Sequence, residues 1–142
     1  MTLNTITIRN LGPEDAHVLD RVKPGTFDNL DLSRAWGLLA TRVNELVVAL
    51  DRGEVVGFAY GTMLMRPDKP AEFFVNEIGV HAEYRRQGIG SRLMRRLNEL
   101  AMDRGCSGVW LMTEVENEEA RAFYGALKGD ESGATVMYDW QL

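Results

Sequence analysis

A chain of 142 residues, 45% hydrophobic and 26% charged, is long enough to build one domain with a substantial core. Its 16 basic and 21 acidic side chains leave a net charge of −5, which argues against a broad phosphate-binding surface for nucleic acid and leaves room for a cationic ligand. The single cysteine, Cys106, excludes an intrachain disulfide and a cysteine-built metal site, and no run reaches the roughly 18 apolar residues of a membrane span.

Met1-Thr2-Leu3-Asn4 lacks the basic-then-apolar pattern of a secretory signal, so the cytoplasm is the expected compartment. Thr5 to Arg9 alternates polar and apolar residues, as a half-buried strand does. Gly12-Pro13-Glu14-Asp15 starts a helix running to about Val22, with proline in the first turn and acids where the helix dipole favours them. A loop over Thr26 to Asp31 precedes a second helix from about Leu32 to Thr41, capped by Asp31 or Ser33. Glu45–Leu50 and Val55–Tyr60 are strands joined by the tight turn Asp51-Arg52-Gly53-Glu54, and the second continues to about Met65. Pro67-Asp68-Lys69-Pro70 breaks it, and Glu72 to Val80 forms a further strand.

Beyond Val80 the period changes. Gly88 to Arg104 is helical, with Leu93, Leu97 and Leu100 on one stripe, and Gly105 ends it. Val109 to Thr113 is a short strand, parallel to its predecessor because a helical crossover joins them. Asn117 to Leu127 is another helix and Thr135 to Trp140 a last strand. No linker, repeat or shift in composition marks a second domain, so residues 1–142 are expected to form one.

The stretch from Asn76 to Ser91 carries the chemistry: a strand, a short loop, then a helix whose first turn holds Gly88 and Gly90. Backbone N–H groups at a helix start, together with the positive dipole end, make an anion site, and glycine lets a phosphate approach the backbone closely. Arg85 and Arg86 oppose the dipole there, which makes sense when an anion lies between. Paired glycines also serve plain turns or close helix–sheet contacts, and neither the Walker nor the Rossmann pattern is present.

Arg85-x-x-Gly88-x-Gly90, directly after Glu77-Ile78-Gly79-Val80, resembles the acetyl-CoA signature of the Gcn5-related N-acetyltransferase superfamily. The resemblance implies an α/β (α+β) fold with a central, mixed and mostly antiparallel sheet of six to seven strands flanked by about four helices. It implies acetyl-CoA as co-substrate. The strand Ile78-Gly79-Val80 would hydrogen-bond the pantetheine arm, and Arg85, Arg86, Gln87, Gly88, Ile89, Gly90 and Ser91 would hold the pyrophosphate. Ala82 stands where proline is common. Asn117-Glu118-Glu119-Ala120-Arg121-Ala122-Phe123-Tyr124 resembles a second motif, in which Asn117 and Ala120 lie against the cofactor and Tyr124 protonates the departing thiolate. Lys128-Gly129 departs from the usual ending of that helix. A Phe-Tyr pair on a helix can also be core packing.

An acetyl transfer needs an uncharged amine, a polarised thioester and a proton for the thiolate. Glu77, an acid in an otherwise apolar strand, is the candidate base, since a carboxylate stripped of water there would accept the amine proton. It could equally face solvent or an arginine. Glu72, assigned to the same face by alternation, is the second choice. His81 reads as an exposed loop residue and His17 as structural. Glu114 and Glu116, with Glu118 and Glu119, either complement the next helix or recognise a cationic acceptor.

Pro67-Asp68-Lys69-Pro70, Asn76 to Val80, Thr113-Glu114, the Tyr124 helix, Val136 to Trp140 and, more loosely, Phe27-Asp28 resemble the small aminoglycoside acetyltransferase branch. That implies a small cationic amine as acceptor, with Asp28, Glu72, Glu77, Glu114 and Glu116 lining its cleft. A polyamine, an amino-acid derivative, a protein amine, or a non-catalytic acyl-CoA-binding module are the alternatives. No metal, nucleic-acid or membrane partner is expected, and a homodimer is.

Overall fold

The computed structural model describes residues 5–142; Met1–Asn4, read above for a signal pattern, lie outside them. The chain divides into two compact units, one ending at Leu111 and one spanning Met112–Leu142.

The first unit is built on a five-stranded sheet, β1 (Ile6–Leu11), β2 (Asn44–Asp51), β3 (Glu54–Leu64), β4 (Glu72–Val80) and β5 (Val109–Trp110), ordered as in sequence. Neighbours are antiparallel except β4 and β5, which run parallel as the crossover requires. Arg52 and Gly53 between β2 and β3 both have positive φ, 51° and 84°, the type I′ turn whose twist matches a tight hairpin.

Each face of the sheet buries its own apolar layer. Val47, Ala49, Ala59, Phe73 and Val75 pack under α2 (Ile89–Asp103), which contributes Ile89, Leu93, Leu97 and Leu100. On the other face Leu46, Val48, Leu50 and Phe58 pack with Leu39 of α1 (Leu32–Ala40) and with Val18 and Leu19. Each fully buried Leu, Val or Phe contributes about 1.5–3 kcal/mol. The Asp31 carboxylate starts α1 by accepting the Arg34 N–H at 3.0 Å.

The helix expected after Gly12 is a 3-10 helix over Pro13–Asp20. The Asp15 N–H closes onto the Gly12 carbonyl three residues back at 2.9 Å, and its carboxylate takes the Gly12 N–H at 2.8 Å, which favours the tighter winding.

Two strand expectations need correction, and with them the count of six to seven. Val109–Thr113 makes a ladder only at Val109 and Trp110. Thr135–Trp140 forms no strand among the described residues, and Val136, Met137, Tyr138 and Trp140 are exposed. Apolar and β-branched residues make a segment competent for a ladder; a strand also requires an edge to pair with.

Register shifts within the β3–β4 ladder from Tyr60 opposite Glu77 to Gly61 opposite Val75, leaving Asn76 as the extra residue of a bulge. The Asn76 amide donates to Thr62 Oγ1 at 3.2 Å, and that hydroxyl donates to Asn44 Oδ1 at 2.8 Å. Gly61 opposite the bulge has no room for a side chain, because a Cβ would collide with the Phe73 ring and the Phe74 carbonyl.

The second unit holds α3 (Glu118–Ala126). Asn117 Oδ1 caps it by accepting the Ala120 N–H at 3.0 Å. Lys128, in the left-handed region at φ 71°, closes it, with the Gly129 N–H donating to the Tyr124 carbonyl at 3.0 Å. Arg121 holds Glu131 by two hydrogen bonds of 2.8 and 3.1 Å and donates to the Val115 carbonyl at 3.0 Å.

Candidate active site

Strand β4 pairs with β3 along its length but with β5 only at Phe73 and Phe74. Beyond them, among the described residues, no strand borders its second edge. The His81 N–H bonds the Val56 carbonyl at 2.8 Å. Since alternate residues of an antiparallel strand turn toward the partner, Gly79 faces β3, and Ile78 and Val80 direct their backbone groups outward. A linear ligand can therefore hydrogen-bond along this edge as an added strand would. Arg85 Nε already donates to the Val80 carbonyl at 3.2 Å.

The edge leads into the start of α2. Arg86 and Gly88 are both left-handed, at φ 61° and 78°, a conformation costing a residue with a side chain about 1–2 kcal/mol. A Cβ built on Gly88 meets nothing within 4 Å, so the glycine serves backbone conformation and outside access rather than internal packing. Arg92 makes the first bond back into the helix, to the Gly88 carbonyl at 3.1 Å. The N–H groups of Ile89, Gly90 and Ser91 lie in the first turn, where no carbonyl precedes them within the helix. Together with the dipole they fit a pyrophosphate, and Arg86 is exposed beside them with no carboxylate partner among the described residues.

On the α1 face lies a cleft of about 330 Å³. Its walls are the loop from Phe27 to Asp31, the α1 residues Arg34, Ala35 and Leu38, and Tyr60 and Glu77 of the sheet. The Phe27 ring stacks on Phe58 at 4.0 Å, and Phe58 fills the space left by Gly79, where a Cβ would lie 2.6 Å from its ring. Tyr60 donates its hydroxyl to Glu77 Oε1 at 3.3 Å. Burial, then the charge of Glu77 and that hydrogen bond, push the Tyr60 phenol up. Because Asp31 is engaged as the α1 cap, Asp28 and Glu77 are the carboxylates left for a ligand.

The apolar run does not strip Glu77 of water as expected: the residue is exposed, because the bulge turns it into the cleft mouth. Glu72 does share its face, but not through alternation. Positions five apart on a regular strand lie on opposite faces, and the extra residue Asn76 restores the match. Glu72 is paired with Arg66 at 3.6 Å and lies outside the cleft.

His81 is half-buried rather than an exposed loop residue: Nδ1 accepts the Glu83 N–H at 3.1 Å and Nε2 sits 3.0 Å from the Pro24 carbonyl. His17 is exposed. In the second unit Glu114 and Glu116 are exposed, their carbonyls accepting the N–H groups of Asn117 and Glu118 at 3.0 and 2.9 Å. Tyr124 is half-buried, 5.2 Å from the Phe123 ring, and burial pushes its phenol up. Tyr60 and Arg34 are cleft residues that sequence reasoning passes over; the facing of Tyr60 and Glu77 becomes visible only once the bulge is known.

A family model described as acetyltransferase (GNAT) family matches residues 14–128. The chain is 38% identical over 100 residues to the N-alpha-acetyltransferase RimI of Mycobacterium tuberculosis, covering 70% of this chain and 61% of that protein. It is 37% identical over 70 residues to the thialysine N-epsilon-acetyltransferase of Bos taurus, covering 49% of this chain and 38% of that one. The match thus spans less than two thirds of either relative. Among solved structures, an aminoglycoside acetyltransferase from an uncultured soil metagenomic sample superposes with a TM-score of 0.82 at 20% identity, over 98% of this chain and 97% of that one, a likeness of fold. A ribosomal-protein-alanine N-acetyltransferase from Brucella melitensis matches at 0.74 and 25% identity, over 95% and 99% of the two chains. With the family model covering most of its length, and with an open β4 edge running into a glycine-started helix, this chain belongs to the acetyltransferase (GNAT) family.

Proposed function

We propose that the chain is an acetyl-CoA-dependent N-acetyltransferase working as a single domain on a primary amine of a small cationic acceptor, with an aminoglycoside as the leading candidate. One observation carries the reading: the unbordered edge of β4 at Ile78–Val80 continues directly into the anion-binding start of α2. Outward-facing backbone groups suit an amide-bearing arm, and the first-turn N–H groups with Arg85 and Arg86 suit its pyrophosphate. Acetyl-CoA supplies the activated acyl group. The acceptor amine enters the cleft between Asp28 and Glu77, whose charges favour its cationic form on approach.

Glu77 then takes a proton from the ammonium, directly or through water, and the freed nitrogen attacks the thioester carbonyl. A C–N bond forms, the C–S bond breaks, Tyr124 donates its hydroxyl proton to the leaving thiolate, and the second proton shed by the nitrogen restores the phenol through water. A phenol kept above its usual range by burial stays protonated at neutral pH and is available as that acid. The relatives' names differ in acceptor, and a polyamine, an amino-acid derivative or a protein amine stands as the alternative to the aminoglycoside. The small volume of the cleft and its carboxylates Asp28 and Glu77 support a small cationic amine. A homodimer in the cytoplasm completes the proposal.

The test is calorimetric titration of acetyl-CoA, then a thiol-release assay against aminoglycosides, polyamines and peptide amines. Binding with turnover on aminoglycosides is the expected result. Turnover on peptide amines alone would replace the acceptor, and failure to bind acetyl-CoA would overturn the whole reading. Tyr124→Phe should lower turnover without weakening acetyl-CoA binding; equal turnover would remove Tyr124 from the chemistry.

A further inference from the structure

Two turns on either side of the proposed machinery meet at one imidazole ring. The turn at Lys23–Thr26 leads into the Phe27–Asp31 wall of the cleft, and the turn at His81–Tyr84 leads into the Arg85–Ser91 loop. The first is fixed to the sheet, with the Lys23 N–H donating to the Val55 carbonyl at 2.9 Å and the Thr26 N–H to the Lys23 carbonyl at 3.1 Å. The second is closed by the Tyr84 N–H on the His81 carbonyl at 2.8 Å. Between them His81 accepts from the Glu83 N–H through Nδ1 at 3.1 Å and meets the Pro24 carbonyl through Nε2 at 3.0 Å. A carbonyl can only accept and an N–H can only donate, so these contacts select the neutral ring with its proton on Nε2. Gly25 packs against the same ring, an added Cβ lying 3.5 Å from Nε2. Lys23 Nζ and Glu83 Oε2, 3.3 Å apart, clasp the two turns a second time.

We propose that His81 is a positioning residue that couples the amine-cleft wall at Phe27–Asp31 to the cofactor loop at Arg85–Ser91, so that occupancy of one orders the other. The proposal rests on the acetyltransferase reading for the identity of the two ligands. Its physical basis is that neither turn hydrogen-bonds the other through its backbone: each is tied to β3, at Val55 and Val56, and the ring and the Lys23–Glu83 pair are the direct polar links between them among the described residues. With its Glu83 end in solvent that ion pair is a weak tie, which leaves the imidazole as the stronger one.

Hydrogen exchange followed by mass spectrometry, with and without coenzyme A, tests this on the full chain. In the wild type, coenzyme A should slow exchange in peptides covering 85–91 and also in peptides covering 22–31, the latter by about fivefold or more, the lower range of site-to-site coupling. His81→Phe keeps a ring but neither hydrogen bond, and should retain the first protection while losing the second. His81→Gln, with a donor and an acceptor on one side chain, should restore part of it. Protection at 85–91 with no change at 22–31 in the wild type, or equal protection in His81→Phe, would overturn the coupling alone. No protection at 85–91 would overturn the acetyltransferase reading and the coupling with it.

Discussion

Gly88→Asp separates what the glycine does for the fold from what it does for a ligand. At φ 78° a side chain costs about 1–2 kcal/mol, and an acid at a helix start returns about 0.3–1 kcal/mol through the dipole. No atom lies within 4 Å of the added Cβ, so no steric penalty follows, and the net loss should stay near 1 kcal/mol. A pyrophosphate at this turn would feel far more. A carboxylate about 5 Å from one phosphate charge repels it by roughly 0.8 kcal/mol in water and about 3 kcal/mol at the effective dielectric of a protein surface, a loss of affinity between about 4-fold and a few hundredfold. Gly88→Asn, carrying the same backbone strain without the charge, is the control. Urea denaturation measures the first quantity and acetyl-CoA calorimetry the second. A folded aspartate variant that binds acetyl-CoA as the wild type does would refute the assignment of this turn to phosphate.

Four other outcomes follow from the same structure. Tyr84 donates to Asp51 Oδ2 at 2.6 Å, and this bond, with burial, pushes its phenol up to about 12. A raised phenol stabilises the fold below its ordinary value of 10.0, and the contribution is lost as pH rises from there through about 12. Tyr84→Phe should cost about 1–3 kcal/mol at neutral pH and abolish that alkaline slope in urea denaturation. Asp51, held low by Tyr84 and then by Thr5, should add stability that is lost as pH falls below the ordinary carboxylate value of 3.8. Gly79→Ala drives a methyl into Phe58 and through it into the Phe27 stack; stability should fall by about 1–3 kcal/mol and the KM for the amine should rise, both measurable on one preparation. Glu77→Gln should lower kcat/KM for the amine by about 10²–10⁴-fold with acetyl-CoA affinity unchanged; undiminished turnover would pass the proton to water.

Much of the first unit can be read from residues alone, because its signals are local. The type I′ turn at Arg52-Gly53, the Leu93-Leu97-Leu100 stripe and the Asp31 cap each depend on neighbours close in sequence. The glycine-started helix is legible for the same reason, and with it the family. What stays hidden depends on partners far along the chain. The register of β4 against β3 turns on one inserted residue, and with it the facing of Glu77, Glu72 and Tyr60. His81 looks like loop filler until Pro24, 57 positions away, supplies its acceptor. Thr135–Trp140 carries the Thr, Val, Tyr and Trp that favour strands, yet nothing within that segment specifies an edge for it to join.

The bulge at Asn76 bears on solubility as well as on aim. A strand bordered on one side only is adhesive, since any extended peptide can complete its hydrogen bonds. Here the bare stretch is only a few residues long, kinked at its start, and marked by the exposed charge of Glu77. A stacking neighbour would need a straight, uncharged partner to propagate a sheet, and this edge offers neither. The bend that points a carboxylate into the cleft thereby also makes this edge a poor template for stacking copies of the chain.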